Sequence, residues 1–209
     1  MYKVKEIYYT IQGEGYHTGR PAVFVRFSGC NLWSGREEDR HKAICKFCDT
    51  DFWGTDGERG GKYTAQELSD IIYELWPTDT GSHPFIVCTG GEPGLQLDQK
   101  LVDHLHDANI SIAIETNGTV KLANDIDWIC VSPKADSKII VTYGDELKLV
   151  YPQVENDPEQ YSHLDFEHYY LQPLDDEDQT EHIGKCVEYC MRYPQWKLSL
   201  QTHKFIGID

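Results

Sequence analysis

The residues best suited to chemistry in this chain are three cysteines near its start, Cys30, Cys45 and Cys48, spaced C-x14-C-x2-C. Three thiolates can bind three irons of a four-iron cluster, which leaves the fourth iron open to a small molecule. Electron-transfer ferredoxins normally supply four cysteines, and structural zinc sites are normally closed by four ligands. The spacing therefore predicts a redox-active cluster that acts on a molecule bound to it.

Two other metal sites fit the same cysteines. The C-x2-C pair is equally typical of a zinc knuckle, which Cys30 and His41 could complete. A four-ligand electron carrier would need a fourth cysteine, and Cys88 and Cys130 are the candidates inside apolar strand-like runs. The position of Phe47 between the paired cysteines, and the strand that leads into Cys30, favour the cluster.

Three polar segments each follow directly after a predicted buried strand: residues 89–93 (TGGEP), 115–118 (ETNG) and 132–134 (SPK). Because the carboxyl ends of parallel strands meet at one edge of a sheet, we expect these segments to share a site. Glu92 could accept hydrogen bonds from an ammonium group, Glu115 could bind ribose hydroxyls, and Lys134 could bind a carboxylate. Each segment taken alone is also typical of an ordinary turn.

Three further features carry polar or charged groups near the predicted strands. Residues 12–15 (QGEG) place a carboxylate between two glycines, which suits close approach to a planar polar ligand. Arg26 is the one charge in the apolar strand 21–27, so it should pair with an anion or face an edge. His203 follows the last predicted strand, and a lone histidine is more often structural than catalytic.

The elements that position these residues alternate between strands and helices along the chain, which predicts an α/β fold with parallel strands and crossover connections. Helices are fewer than strands in the second half. We therefore predict a partial, incomplete parallel β/α barrel of about six strands with a reduced helix count. Residues 1–209 are expected to form a single domain, with an insert loop at residues 31–44.

The composition restricts the partners and the location. The net charge is −16 and no basic run is present, which argues against nucleic acid as a partner. No apolar run is long enough to cross a bilayer and no signal region begins the chain, so we expect a cytoplasmic protein without membrane contact. Seven cysteines without an export signal argue against a disulfide framework.

Together these residues resemble the radical S-adenosylmethionine superfamily, and most specifically its 7-carboxy-7-deazaguanine synthase family. The resemblance spans nearly the whole chain, from residues 11–15 (IQGEG) through the cysteines and the strand-end segments to residues 199–204 (SLQTHK). The usual superfamily motif is C-x3-C-x2-C, whereas fourteen residues separate Cys30 from Cys45 here. Some members of the family are similar in carrying such an insert, which we expect to pack as a small helix or turn over the cluster.

The resemblance implies a lyase of queuosine biosynthesis, a tRNA-modification pathway. The expected reaction contracts the ring of 6-carboxy-5,6,7,8-tetrahydropterin to 7-carboxy-7-deazaguanine with loss of ammonia. It implies a [4Fe-4S] cluster, S-adenosyl-L-methionine and Mg²⁺ as cofactors, a flavodoxin or ferredoxin as reductant, and a homodimer. Trp33, Trp53 and Trp76 are expected to be exposed and available to its interface.

The same resemblance implies a role for individual residues, and no catalytic side chain, because the cofactor radical performs the chemistry. The cluster ligands are Cys30, Cys45 and Cys48, and Thr50 helps to bind Mg²⁺. The residues expected to bind the cofactor are Phe47, Cys48, Asp49, Gly90, Gly91, Glu92, Glu115, Ser132, Pro133, Lys134, Gln172, Pro173, Leu174 and Asp175. Those expected to bind the substrate are Ile11, Gln12, Gly13, Glu14, Arg26, Thr89, His203 and the chain-terminal Asp209.

Two alternatives to this function remain. An activating enzyme of a glycyl-radical protein would use the same cluster on a protein partner, but the QGEG and QTHK segments and Arg26 favour a small pterin. A zinc-stabilised interaction module would be no enzyme at all. Metal analysis separates this module from the cluster enzyme.

Overall fold

The structure, a computed structural model, describes residues 1–77 and 81–208. These residues form one sheet of nine strands in the spatial order β3-β1-β2-β4-β5-β6-β7-β8-β9. The strands are Tyr2–Ile11 (β1), Pro21–Phe27 (β2), Gly61–Tyr63 (β3), Phe85–Gly90 (β4), Ser111–Thr116 (β5), Trp128–Val131 (β6), Tyr143–Tyr151 (β7), Asp165–Pro173 (β8) and Trp196–Leu198 (β9). The α-helices are Ala65–Leu75 (α1), Gln99–Asp107 (α2), Gln179–Arg192 (α3) and Thr202–Ile206 (α4).

The predicted incomplete parallel α/β architecture is confirmed. Every neighbouring pair from β2 to β9 is parallel, and the linear strand order leaves the described sheet open. The sheet has more than the expected six strands partly because β1 and β3 add an antiparallel edge beside β2. β1 was not predicted because Lys3, Lys5 and Glu6 interrupt its apolar residues, and its register shifts between Val4 and Glu6.

Helices α1, α2 and α3 cover the convex face of the sheet. Helix α1 begins at the predicted capping box, in which the backbone N–H of Glu67 donates to Thr64 and the Glu67 carboxylate accepts from the backbone N–H of Thr64. Leu68 and Ile72 of α1 pack with residues of α2 in the larger hydrophobic core. Helix α3 packs on β7, β8 and β9, so one helix covers the second half of the sheet.

Alternation along the strands separates this core from the site. In β2, Val23, Val25 and Phe27 face the helices, whereas Phe24 and Arg26 face the concave side. The lower part of the concave face is a small apolar cluster that includes Phe24 and Phe85. Polar side chains replace it toward the carboxyl ends of the strands, which is where the sequence places its polar segments.

Residues 31–44 fold back on themselves beside the cysteines. A 3-10 helix spans Glu37–Lys42, and the Ile44 N–H donates to the Leu32 carbonyl at 3.0 Å. The prediction that Trp33 is exposed is wrong. Its side chain is 7% exposed because the ring packs edge-on against Phe52, with 5.5 Å between the centroids. Trp53 is exposed, as expected.

Candidate active site

A cavity of about 830 Å³ opens at the carboxyl ends of the parallel strands. Its volume lies in the upper part of the range for ligand pockets, so it has room for more than one small molecule. It is lined by all but three of the residues that the sequence assigns to the site. The three exceptions are Glu92 and Pro133, which do not reach it, and Asp209, which lies outside the described residues.

The three motif cysteines meet at one side of this cavity. Cys30 follows β2, and Cys45 and Cys48 follow the insert; all three are free thiols. A hydrogen bond between Cys45 and Cys48 lowers the pKa of Cys48 to about 6 and raises that of Cys45. Burial raises the pKa of Cys30, whose sulfur accepts a hydrogen bond from the Leu32 N–H at 3.4 Å.

This donor set fits an iron–sulfur cluster with one open iron. In residues 1–77 and 81–208, no three His, Cys, Asp or Glu side chains converge tightly enough for a single metal ion. A cluster differs because each cysteine binds a different iron, so the sulfurs need only surround the same space. Cys88 and Cys130 are 1% and 3% exposed and do not line the cavity, so neither is placed as a fourth ligand.

A buried lysine, Lys148 of β7, also lines the cavity. Nζ of Lys148 is 2.5 Å from Oε2 of Glu14 and 3.3 Å from Oε1 of Glu115, and its side chain is 5% exposed. Burial opposes the charge on Lys148, but the attraction of Glu115 and Glu14 outweighs it and raises its pKa well above the usual value. Lys148 is therefore a cation at neutral pH.

Glu14 accepts hydrogen bonds from three side chains of the site. Its Oε1 accepts from Gln172 at 3.1 Å and from Gln201 at 3.0 Å, in addition to the Lys148 contact. Burial alone would raise the pKa of Glu14, but Lys148 and the hydrogen bond from Gln201 lower it to about 2. Glu14 is thus a fixed acceptor at neutral pH.

Helix α4 closes the cavity against the segment that carries Glu14. The Thr202 N–H and hydroxyl both donate to the Gly13 carbonyl at 2.9 Å. A Cβ at residue 13 would lie 2.2 Å from Nδ1 of His203, so only glycine permits this approach. We expected Gly13 to allow close approach of a ligand, but it allows close approach of His203, which lines the cavity.

Arg26 lines the cavity and already has a protein partner. Its Nε donates to Glu6 at 2.7 Å, and its Nη2 donates to the Tyr8 hydroxyl at 3.0 Å. The sequence analysis expected an anion beside this buried cation, and Glu6 of β1 supplies at least part of that negative charge. Because β1 was not predicted, Glu6 and Tyr8 were not among the expected site residues.

Glu92 has a structural position instead of a place on the cavity wall. It is fully buried, and its oxygens accept from the Thr116 hydroxyl and from the backbone N–H groups of Gly94 and Asn117, at 2.7–2.8 Å. Burial raises its pKa despite these bonds. Glu92 therefore ties the turn after β4 to the turn after β5, and its expected contact with a cofactor stays a prediction.

The remaining predicted residues surround the cysteines. Nζ of Lys134 donates to the carbonyl and hydroxyl of Ser132 and lies 6.0 Å from the Phe47 ring centroid. Asp49 and Asp175, which the sequence placed on the cofactor side, are joined by an unpredicted Lys204 that contacts both carboxylates. Lys204 thereby links helix α4 to the cysteine segment.

Sequence reasoning missed Lys148, although a signal was present. Lys148 is a cation inside the apolar stretch 147–150, the same signal that singled out Arg26. Its partners Glu14 and Glu115 are 134 and 33 residues away. Only the fold brings these carboxylates to it, so the pattern could have identified the lysine but not the network.

Comparison with known proteins agrees with this site. No protein-family model matches the chain. Over 208 residues, covering 99% of each protein, it is 58% identical to 7-carboxy-7-deazaguanine synthase from Burkholderia multivorans. The same enzyme from Caulobacter vibrioides is 55% identical over 208 residues, again with 99% of each covered. A crystal structure of QueE from Escherichia coli superposes with a TM-score of 0.72 at 28% identity, covering 95% of this chain and 93% of that one.

These similarities extend over the full described fold and confirm the family resemblance that the motifs predicted. The chain belongs to the 7-carboxy-7-deazaguanine synthase family.

Proposed function

We propose that this chain catalyses the ring contraction of 6-carboxy-5,6,7,8-tetrahydropterin to 7-carboxy-7-deazaguanine with loss of ammonia. The observation that carries the proposal is one cavity that holds both parts of the necessary site. Three free cysteines line one side, and a wall of fixed acceptors and cations lines the other. Neither an electron carrier nor a zinc module needs a cavity wall of acceptors and cations beside its cysteines.

The cysteine side is the site of the redox group. Cys30, Cys45 and Cys48 would hold a [4Fe-4S] cluster, and residues around Phe47, Lys134 and Asp175 would hold S-adenosylmethionine beside it. When bound, this pair supplies the one-electron chemistry that amino-acid side chains cannot perform. The part played by the protein is to orient both molecules and to limit access of water.

The opposite wall is suited to a pterin. An aminopyrimidinone edge presents N–H donors, and Glu14 is ionised and held in place by Lys148, so it can accept from them. His203 and Gln12 also line the cavity and add polar groups to this wall. Arg26 would bind the substrate carboxylate while Glu6 fixes its guanidinium. Thr50 would contribute one oxygen ligand to a Mg²⁺ ion at that carboxylate.

The partners in this proposal are a flavodoxin or ferredoxin as electron donor and a second copy of the chain in a homodimer. No helix in the described residues is both long and apolar enough to cross a bilayer. The net charge of −16 also argues against nucleic acid as a partner.

The direct test is anaerobic incubation of the reconstituted protein with the pterin, S-adenosylmethionine, Mg²⁺ and a chemical reductant, followed by mass analysis. We expect 7-carboxy-7-deazaguanine and one ammonia per turnover. Cys48→Ala is the negative control, and Cys190→Ala, which removes an equally half-buried thiol away from the cavity, is the matched cysteine control. Product without the cofactor, or cofactor cleavage that never depends on the pterin, would contradict the proposal.

A further inference from the structure

The insert between Cys30 and Cys45 has no part in the reaction described above, yet it contacts the cysteine segment directly. Its 3-10 helix, Glu37–Lys42, carries Arg40, whose side chain is 30% exposed. The insert also contributes Trp33 and Ala43 to a small hydrophobic cluster with Phe52. Cys30 and Cys48 pack against that cluster, so the insert and the cysteines form one packed unit.

Arg40 joins the insert to the cysteine segment by hydrogen bonds. Its Nη1 donates to the Lys46 carbonyl at 2.8 Å and to the Cys48 carbonyl at 3.2 Å. Residues 45–50 form neither helix nor strand, so these carbonyls have no ladder partners. Arg40 donates to the carbonyls of both Lys46 and Cys48, and this restricts the backbone conformation of the segment between them.

Two further contacts hold the guanidinium in place. The Glu37 carboxylate pairs with Nε at 2.7 Å and also with Nη2, in a two-point arrangement. The guanidinium carbon lies 4.0 Å from the centroid of the Trp33 ring, and that ring is fixed against Phe52. Arg40 is therefore anchored on its own helix before it reaches the cysteine segment.

We propose that Arg40 is a positioning residue that holds residues 45–48 in the conformation that binds iron. This inference rests on the proposed function, because it assumes that Cys45 and Cys48 bind a cluster. Arg40 also places a positive charge beside the cysteines, which favours the more negative, reduced state of a cluster. A lysine at this position would keep the charge but not the fork that contacts two carbonyls at once.

The test compares Arg40→Met with Arg36→Met in the full-length protein. Arg36 lies on the same insert and is more exposed; in the described residues it pairs with Glu38 and stacks on Trp53 at 5.1 Å, neither of which belongs to the cysteine segment. Amide hydrogen exchange of residues 45–50 is measured before reconstitution. Loss of two charge-assisted bonds should accelerate this exchange by roughly tenfold in Arg40→Met, and Arg36→Met should match the wild type.

Cluster properties provide the second readout. After anaerobic reconstitution, Arg40→Met should lose iron to a chelator faster than the wild type, and its midpoint potential should be lower. Arg40→Lys should restore the potential but not the protection from exchange. If Arg40→Met folds poorly, Glu37→Gln replaces it, since it loosens the guanidinium without removing it and should shift amide exchange and iron retention in the same direction by less.

The outcomes separate this inference from the proposed function. A wild-type protein that takes up no iron would overturn the proposed function itself. A wild type that binds the cluster, with Arg40→Met equal to it in exchange and iron retention, would overturn only the role of Arg40. Full recovery of protection in Arg40→Lys would also overturn it, because charge rather than geometry would then be sufficient.

Discussion

Lys148→Met removes the one cation that two buried carboxylates share, and its effect on stability can be worked out from the contacts. The side chains of Lys148, Glu14 and Glu115 are 5%, 15% and 22% exposed. Removing one partner of such a buried pair costs about 3–5 kcal/mol. Gln172 and Gln201 still donate to Glu14, so we expect the lower end, about 3 kcal/mol.

The pKa of Glu14 gives a consistent magnitude and a pH dependence. It lies at about 2 instead of 4.5, and about 2.5 units at 1.36 kcal/mol each is again about 3 kcal/mol. Because the folded pKa is depressed, this stabilisation is complete above pH 4.5 and is lost as the pH falls toward 2. Without Lys148 the Glu14 pKa rises, so the variant should approach the wild type in stability as the pH is lowered from 7 to 5.

The assay is thermal and urea unfolding of the metal-free protein at pH 7 and pH 5. For a chain of this length, about 3 kcal/mol corresponds to a melting temperature lower by about 6–12 °C. Lys197→Met is the control, since Lys197 is exposed on β9 and its ammonium lies 5.6 Å from the centroid of the Tyr170 ring. A Lys148→Met protein as stable as this control at pH 7, or one whose deficit grows on acidification, would refute the reasoning.

Three other perturbations test separate parts of the structure. Cys48→Ala should abolish cluster uptake and turnover while the far-ultraviolet circular dichroism stays unchanged; cluster absorbance in that variant would argue against the ligand assignment. Arg26→Gln should weaken pterin binding at least tenfold more than S-adenosylmethionine binding in calorimetry, whereas equal losses would remove its assigned role. Thr64→Ala should lower the free energy of unfolding by about 1 kcal/mol through loss of the α1 cap, without altering kcat; an unchanged urea midpoint would show that the cap is dispensable.

The sequence predicted the parts of this protein that local patterns encode. The alternating elements gave the open parallel sheet, the capping box gave the start of α1, and the strand-end segments gave most of the cavity wall. β1 was missed because its polar residues and its register shift break the period of two. Glu6 and Tyr8 lie on β1, so the residues that pair with Arg26 inside the protein were not predicted either.

Features that depend on distant residues could not be predicted. Trp33 reads as an exposed aromatic in a charged loop, and only the fold shows that Phe52 covers it. Glu92 reads as a ligand for an ammonium group, but its oxygens are occupied by backbone groups that follow β4 and β5. In each case the residue was singled out, while its partner lay in a part of the chain that pattern alone could not bring near.

The contact between Thr202 and Gly13 joins positions 189 residues apart. During synthesis from the amino end, the carbonyl at position 13 has no such partner until almost the entire polypeptide has left the ribosome. Until then the cavity beside the three cysteines lacks the lining residues that α4 contributes. Helix α4 therefore completes the cavity wall only at the end of synthesis, long after the cysteine segment has been made.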